Sequence, residues 1–202
     1  MSSEIANVKR QTLIECLVFV GLVAAGAGAR VYFRELPNFM PIAAIALFAG
    51  YFFRSPLLAL ATPLSTMTLS DAFIGGYDWQ MMLVVYGLLA LPVAMRWPLR
   101  KWLRIERGRL GNTCAALSGL FGCSLLCSVL FFLGTNFAWW PWTSMYEHNL
   151  AGLLRCYENG LPFFRHTLLG DFTFAAVLFG GYAGAVNLGW ARSPAALPAM
   201  QQ

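Results

Sequence analysis

The chain is poor in charge. Asp, Glu, Lys and Arg make up only 11% of its 202 residues, against about 25% in a typical soluble domain. Nine carboxylates and two histidines are too few to cover a water-facing surface of this size. With 58% hydrophobic residues and a mean hydropathy of +0.61, the scarcity leaves no room for a separate soluble domain. It implies an all-α polytopic membrane protein, a single integral membrane domain over residues 1–202. The first apolar run is long enough to span rather than to be clipped as a leader.

Other absences narrow the chemistry. Five scattered cysteines (Cys16, Cys114, Cys123, Cys127, Cys156) give no disulfide framework. Cys123 and Cys127 share a helix face and read as small packing residues rather than metal thiolates. His148 and His166 lack ligand spacing, so no metal and no cofactor is expected. No Gly-x-x-x-x-Gly-Lys-Ser/Thr loop is present, which excludes ATP hydrolysis by that route. No nucleophile–base pair is readable, so no catalytic residue is assigned.

What is present is a series of apolar runs. Six spans are expected, at residues 12–33, 39–53, 56–74, 79–97, 113–133 and 167–190. Pro63 and Pro92 are candidate kinks in the third and fourth. A cytoplasmic N-terminus puts Lys9, Arg10, Arg54, Arg96, Arg100, Lys101, Arg104, Arg107, Arg109 and Arg192 inside, and only Arg30, Arg34, Arg155 and Arg165 outside. The positive-inside rule therefore predicts both termini in the cytoplasm. The basic stretch 96–109 reads as a lipid-touching topological anchor, not a nucleic-acid patch. Trp79, Trp139, Trp140 and Trp142 fall at the outer boundary, and Trp97, Trp102 and Trp190 at the inner one. Between the fifth and sixth spans, Leu150, Leu153, Leu154, Tyr157 and Leu161 recur at helical spacing. They predict an amphipathic helix on the outer surface, ended by Pro162.

Polar residues gather in the outer half. Asp71 and Asp171 lie at or just inside that boundary, where a carboxylate is costly and a functional candidate by default. A solute-binding site is expected from Arg30, Arg34, Asn38, Phe39, Asp71, Asn136, Trp140, Tyr146, Arg165 and Asp171, with polar groups for orientation and rings for apolar cover. Structural roles stand beside this reading: Asp171 as a cap of the sixth span, Asp71 as the partner of Arg30 or Arg34, and Asn38 and Asn136 as turn residues. Asn38-Phe39 and Asn136-Phe137 form a short echo, each near a proline.

Three resemblances follow from these patterns. Pro37-Asn38-Phe39-x-Pro41-x-Ala43, Ser70-Asp71 with Gly75, and Leu161-Pro162-Phe163-Phe164-Arg165-x-Thr167-x-x-Gly170-Asp171 resemble a bacterial family of uncharacterised membrane proteins. Six spans with cytoplasmic termini resemble the substrate-binding S-components of energy-coupling-factor vitamin transporters. That second likeness implies uptake of a vitamin-like molecule across the bacterial inner membrane, energised by a separate ATPase module. It also implies docking to a membrane partner through the small-residue pair Ala25 and Ala29. Gly76-Tyr77-Asp78 and Leu169-Gly170-Asp171 resemble the motifs of intramembrane aspartyl proteases, with Leu168 where that pattern has Gly. The expected function is small-molecule uptake. The alternatives are a non-catalytic scaffold or assembly subunit, and an intramembrane enzyme using Asp71 and Asp171.

Overall fold

The computed structural model describes residues 2–76, 78–103, 105 and 113–191. Tyr77, Arg104, Arg107, Arg109 and Arg192, named above for motif or topology, lie outside the described residues. The fold is all-helical, with no strand among the described residues. Its elements are α1 (Ser2–Tyr32), α2 (Ile42–Phe52), α3 (Pro56–Ile74), α4 (Trp79–Ala90), α5 (Arg96–Trp102), α6 (Thr113–Trp139) and α7 (Leu150–Asn187). A 3-10 turn at Leu91–Met95, containing Pro92, joins α4 to α5 in one apolar stretch. Pro92 thus breaks the fourth span, whereas Pro63 is carried inside a continuous α3.

Five helical segments are long and apolar enough to cross a membrane: Ala6–Tyr32, Pro56–Ile74, Trp79–Trp102, Leu117–Trp142 and Leu150–Asn187. The second expected span is different. Its helix has 11 residues, about 16 Å at 1.5 Å per residue, roughly half of the ~30 Å hydrocarbon core. The chain nevertheless returns through it. The ends of α1 and α3 meet where Arg30 bonds Ser70 and Asp71, so α1 and α3 run parallel and α2 must run back between them.

α2 is the centre of the bundle. Residues 42–51 are all buried, against α3, α7, the 3-10 turn and α5, with further contacts to α1, α4 and α6. Phe48, Tyr51 and Phe52 meet Phe179 and Tyr182 of α7 at ring-centroid distances of 5.3–6.1 Å. α1 approaches closely at Gly26, where a Cβ would sit 2.4 Å from Ile45 Cδ1 and 2.7 Å from Thr66 Cγ2. Gly26 and Ala27 are therefore spent on internal packing, while Ala24, Ala25 and Gly28 face outward.

A short buried helix leaves its last carbonyls in apolar surroundings, where each needs a donor. Two arginines supply them. Arg100 Nε donates to Tyr51 O at 3.0 Å and its Nη2 to Phe53 O at 2.5 Å; Arg96 Nη2 donates to Arg54 O at 2.9 Å. Tyr51 Oη donates to Leu103 O at 3.0 Å and closes the joint. Next to it, Ser55 caps α3 by accepting from Leu58 N at 3.3 Å, with Pro56 in the first turn.

α7 corrects two expectations. It is one helix of 38 residues, where an amphipathic surface helix and a separate span at 167–190 were expected. It continues through Pro162 because that residue and Glu158, whose carbonyl the proline frees, are both exposed rather than sealed in the bundle. At ~57 Å, α7 outruns the hydrocarbon core. Its first turns pack on the end of α6, where Tyr157 Oη donates to Leu133 O at 3.1 Å. Asn149 caps its start, accepting from Gly152 N at 2.9 Å.

Replacing Arg100 by Leu removes two charge-assisted hydrogen bonds from buried carbonyls and should cost about 3 kcal/mol. Arg100→Lys should recover less than half of that, because an ammonium cannot bridge both oxygens as a guanidinium does. Thermal unfolding in detergent, read by intrinsic tryptophan fluorescence, checks both.

Candidate functional site

The polar residues expected to share one site divide into separate clusters. The first ties α1, α3 and α4 together. Arg30 Nη1 donates to Asp71 Oδ1 and to Ser70 Oγ (2.6 Å), and Tyr86 Oη donates to Asp71 Oδ2 at 2.6 Å. Ser70 Oγ in turn bonds Thr66 O at 2.8 Å. Both carboxylate oxygens are engaged, and Asp71 and Ser70 are buried. This is a closed clamp: its groups satisfy one another.

The second cluster lies on the other side of α2, between α6 and α7. Asp171 is in the middle of α7, 21 residues past its first residue, so it does not cap a helix. It is 3% exposed, and Ser128 Oγ of α6 lies 2.5 Å from its Oδ2. Ser124 and Ser128 are buried on the same face of α6, as are Cys123 and Cys127. Among the described residues, Asp71 and Asp171 share no hydrogen-bond partner.

The third feature is a cavity of about 180 Å³ above the start of α2. Asn38 enters it from the 33–41 connection, Met81 from α4, Thr135, Asn136 and Trp139 with two phenylalanines from α6, and Gly160, Phe163, Phe164 and Thr167 from α7. Asn38 has φ +61°, a left-handed turn that asparagine tolerates better than most residues, and this turns the chain into α2. Asn136 Nδ2 donates to Phe132 O at 2.8 Å, and Thr135 and Thr167 hydroxyls bond carbonyls one turn back. Gly160 makes room: a Cβ there would lie 2.6 Å from Asn136 Oδ1 and 2.9 Å from Phe132 Cε2. Among the described residues, no charged side chain lines the space. The wall therefore offers amides, hydroxyls and aromatic faces, which suit an uncharged guest.

The structure brings two of the expected residues, Asn38 and Asn136, into this cavity. Arg30 and Asp71 are in the clamp, and Asp171 is beneath the cavity. Arg34 is exposed and bonds its neighbour Glu35 at 3.2 Å. Phe39 packs on Phe33 and Phe174. Trp140 donates to Glu147 O at 2.9 Å, Tyr146 accepts from Asn159 at 3.2 Å, and Arg165 is exposed. Sequence reasoning missed Thr135, Thr167, Gly160 and the phenylalanine walls. Their signal was the spacing 160, 163, 164, 167, one face of a single helix, hidden when the segment is divided at Pro162.

The fold and its polar interior define a multi-helix integral membrane protein with a small, partly open cavity. The chain belongs to the family of unknown function DUF6580, whose model matches residues 10–194. No curated protein and no solved structure matches it.

The clamp makes a sharp energetic prediction. Removing either partner strands a buried charge, so Arg30→Met or Asp71→Leu alone should each cost about 3–5 kcal/mol. The double variant Arg30→Met/Asp71→Leu should cost less than the sum of the two. Unfolding midpoints of the four proteins in one detergent give the coupling.

Proposed function

We propose that the chain binds a small uncharged solute in the cavity between α4, α6, α7 and the 33–41 connection, and takes part in its uptake across the bacterial inner membrane. The observation that carries this reading is the lining: two amides and two hydroxyls among aromatic rings, without a charge among the described residues. Size narrows it. A 150 Å³ apolar cavity holds benzene, whereas pockets for drug-sized ligands start near 300 Å³. At about 180 Å³, the space suits a guest of roughly benzene to small-heteroaromatic size. A vitamin-sized molecule of the kind taken by S-components would need the 33–41 connection or the upper part of α7 to move away. With the positive-inside orientation, the cavity sits in the outer half and both termini are cytoplasmic.

Without a phosphate-binding loop, the chain would draw energy from a gradient or from a membrane partner. Small residues with open space beside them, Gly28 on α1 and Gly180, Gly181 and Gly184 on α7, offer close-approach faces for the latter. A second reading, an assembly subunit, is favoured by one observation: Arg30, Asp71, Ser70 and Tyr86 satisfy each other, as residues retained for architecture do.

Mass spectrometry of small molecules retained by gently solubilised protein tests the two readings. A retained neutral solute that is lost from folded Gly160→Leu protein is the expected result. Asn136→Leu should weaken binding of that solute about tenfold, the loss of one hydrogen bond to a buried amide. Wild type and Gly160→Leu retaining the same compounds, or none, favours the assembly subunit.

A further inference from the structure

Directly below the cavity, the α6–α7 seam holds a carboxyl group that no ion pair stabilises. On α7, Gly160, Phe164, Thr167 and Asp171 follow one another at three- and four-residue steps, so Asp171 lies one turn, about 6 Å, deeper than the cavity-lining Thr167. On α6, Ser128 stands in the same relation to the cavity-lining Phe131 and Phe132. Asp171 and Ser128 therefore form the first polar layer beneath the floor.

The hydrogens in this layer can be counted. Ser128 Oγ is 2.5 Å from Asp171 Oδ2 and 3.0 Å from Ser124 O. A hydroxyl has one hydrogen. The Ser124 carbonyl only accepts, so both contacts are satisfied together when Ser128 donates to Ser124 O and the carboxyl supplies the hydrogen toward Ser128 Oγ. Burial argues the same way, because an unpaired carboxylate at this depth carries a large desolvation cost. Among the described residues, Asp171 forms no ion pair. The other titratable groups beside it are on α6: Cys127, next to Ser128 in the chain, and Cys123 one turn deeper on the same face. Arg34 and Glu35 on the connection above are exposed and bonded to each other. One turn below, the Ser124 hydroxyl is fully buried and has no partner. That spare hydrogen-bonding capacity beside a protonated acid suits a transient partner such as water.

We propose that Asp171, with Ser128 and Ser124, is a proton-exchange site that opens into the cavity and couples its occupancy to proton movement. In the forward step the Asp171 O–H bond breaks and its proton passes to a cavity water as hydronium. The carboxylate left behind accepts the Ser128 hydroxyl hydrogen. Return of a proton from the same side reverses both transfers. The inference rests on the cavity of the solute reading as the route to water, not on any solute.

Infrared spectroscopy of the full chain in lipid nanodiscs tests it, with the proton and deuteron as probes. At neutral pH the wild type should show the C=O stretch of a protonated carboxylic acid, absent from Asp171→Asn and shifted in Ser128→Ala. In D₂O the band should move as the acid exchanges. Exchange should be about tenfold slower when the cavity is filled by Gly160→Leu or, as a second plug, Thr167→Leu. Identical spectra of wild type and Asp171→Asn overturn the proposal. So does equally fast exchange in whichever plugged variants fold. A protein that retains no solute yet passes this test has the proton site without the solute function, so the two readings fail separately.

Discussion

Everything else in the bundle is arranged around a helix too short for the membrane it occupies. α2 returns through the bundle with 11 residues, and this is workable only because its exit carbonyls meet guanidinium groups rather than lipid. Lipid offers no hydrogen bonds, so the requirement is absolute rather than a matter of degree. Surrounded by other helices, α2 needs no lipid-facing side. It can be built of alanine, isoleucine and phenylalanine at full burial, with Gly50 and its alanines setting how closely its neighbours approach. The space above its start is then available for the cavity.

The two buried aspartates show how position decides chemistry. Asp71 has a guanidinium, a phenol and a neighbouring serine around it, and becomes a fastener between three helices. Asp171 has serines and thiols around it instead, under a cavity, with no guanidinium among the described residues to hold its charge. Breaking the first should loosen the bundle; altering the second should leave the bundle standing.

The membrane class and the apolar runs were legible because composition and run length report them directly. The ion pair of Asp71 with Arg30 was among the structural readings the residues allowed, and the structure contains it. Three things were not legible. α2 looked like an ordinary short span, because nothing local to residues 39–53 says that its carbonyls will be met by Arg96 and Arg100, more than 40 positions later. α7 looked like two elements, because Pro162 normally ends a helix and its exposure is a tertiary fact. With that division, Asp171 fell near a helix start and resembled a cap. The cavity walls were missed for the same reason, since Gly160 and Thr167 line up only on an unbroken helix.

The arginine joint at the foot of α2 also bears on biosynthesis. Arg30 meets its acid 41 residues downstream, and Phe53 meets Arg100 47 residues downstream. At about 5–20 residues per second, several seconds separate the emergence of each group from that of its partner. A segment as short as α2 therefore cannot settle as it leaves the ribosome. It must wait in the translocon or at the membrane surface until the basic stretch at 96–100 has been made. Insertion of this protein is then a delayed, backward-completed event, in which a later hairpin finishes an earlier crossing.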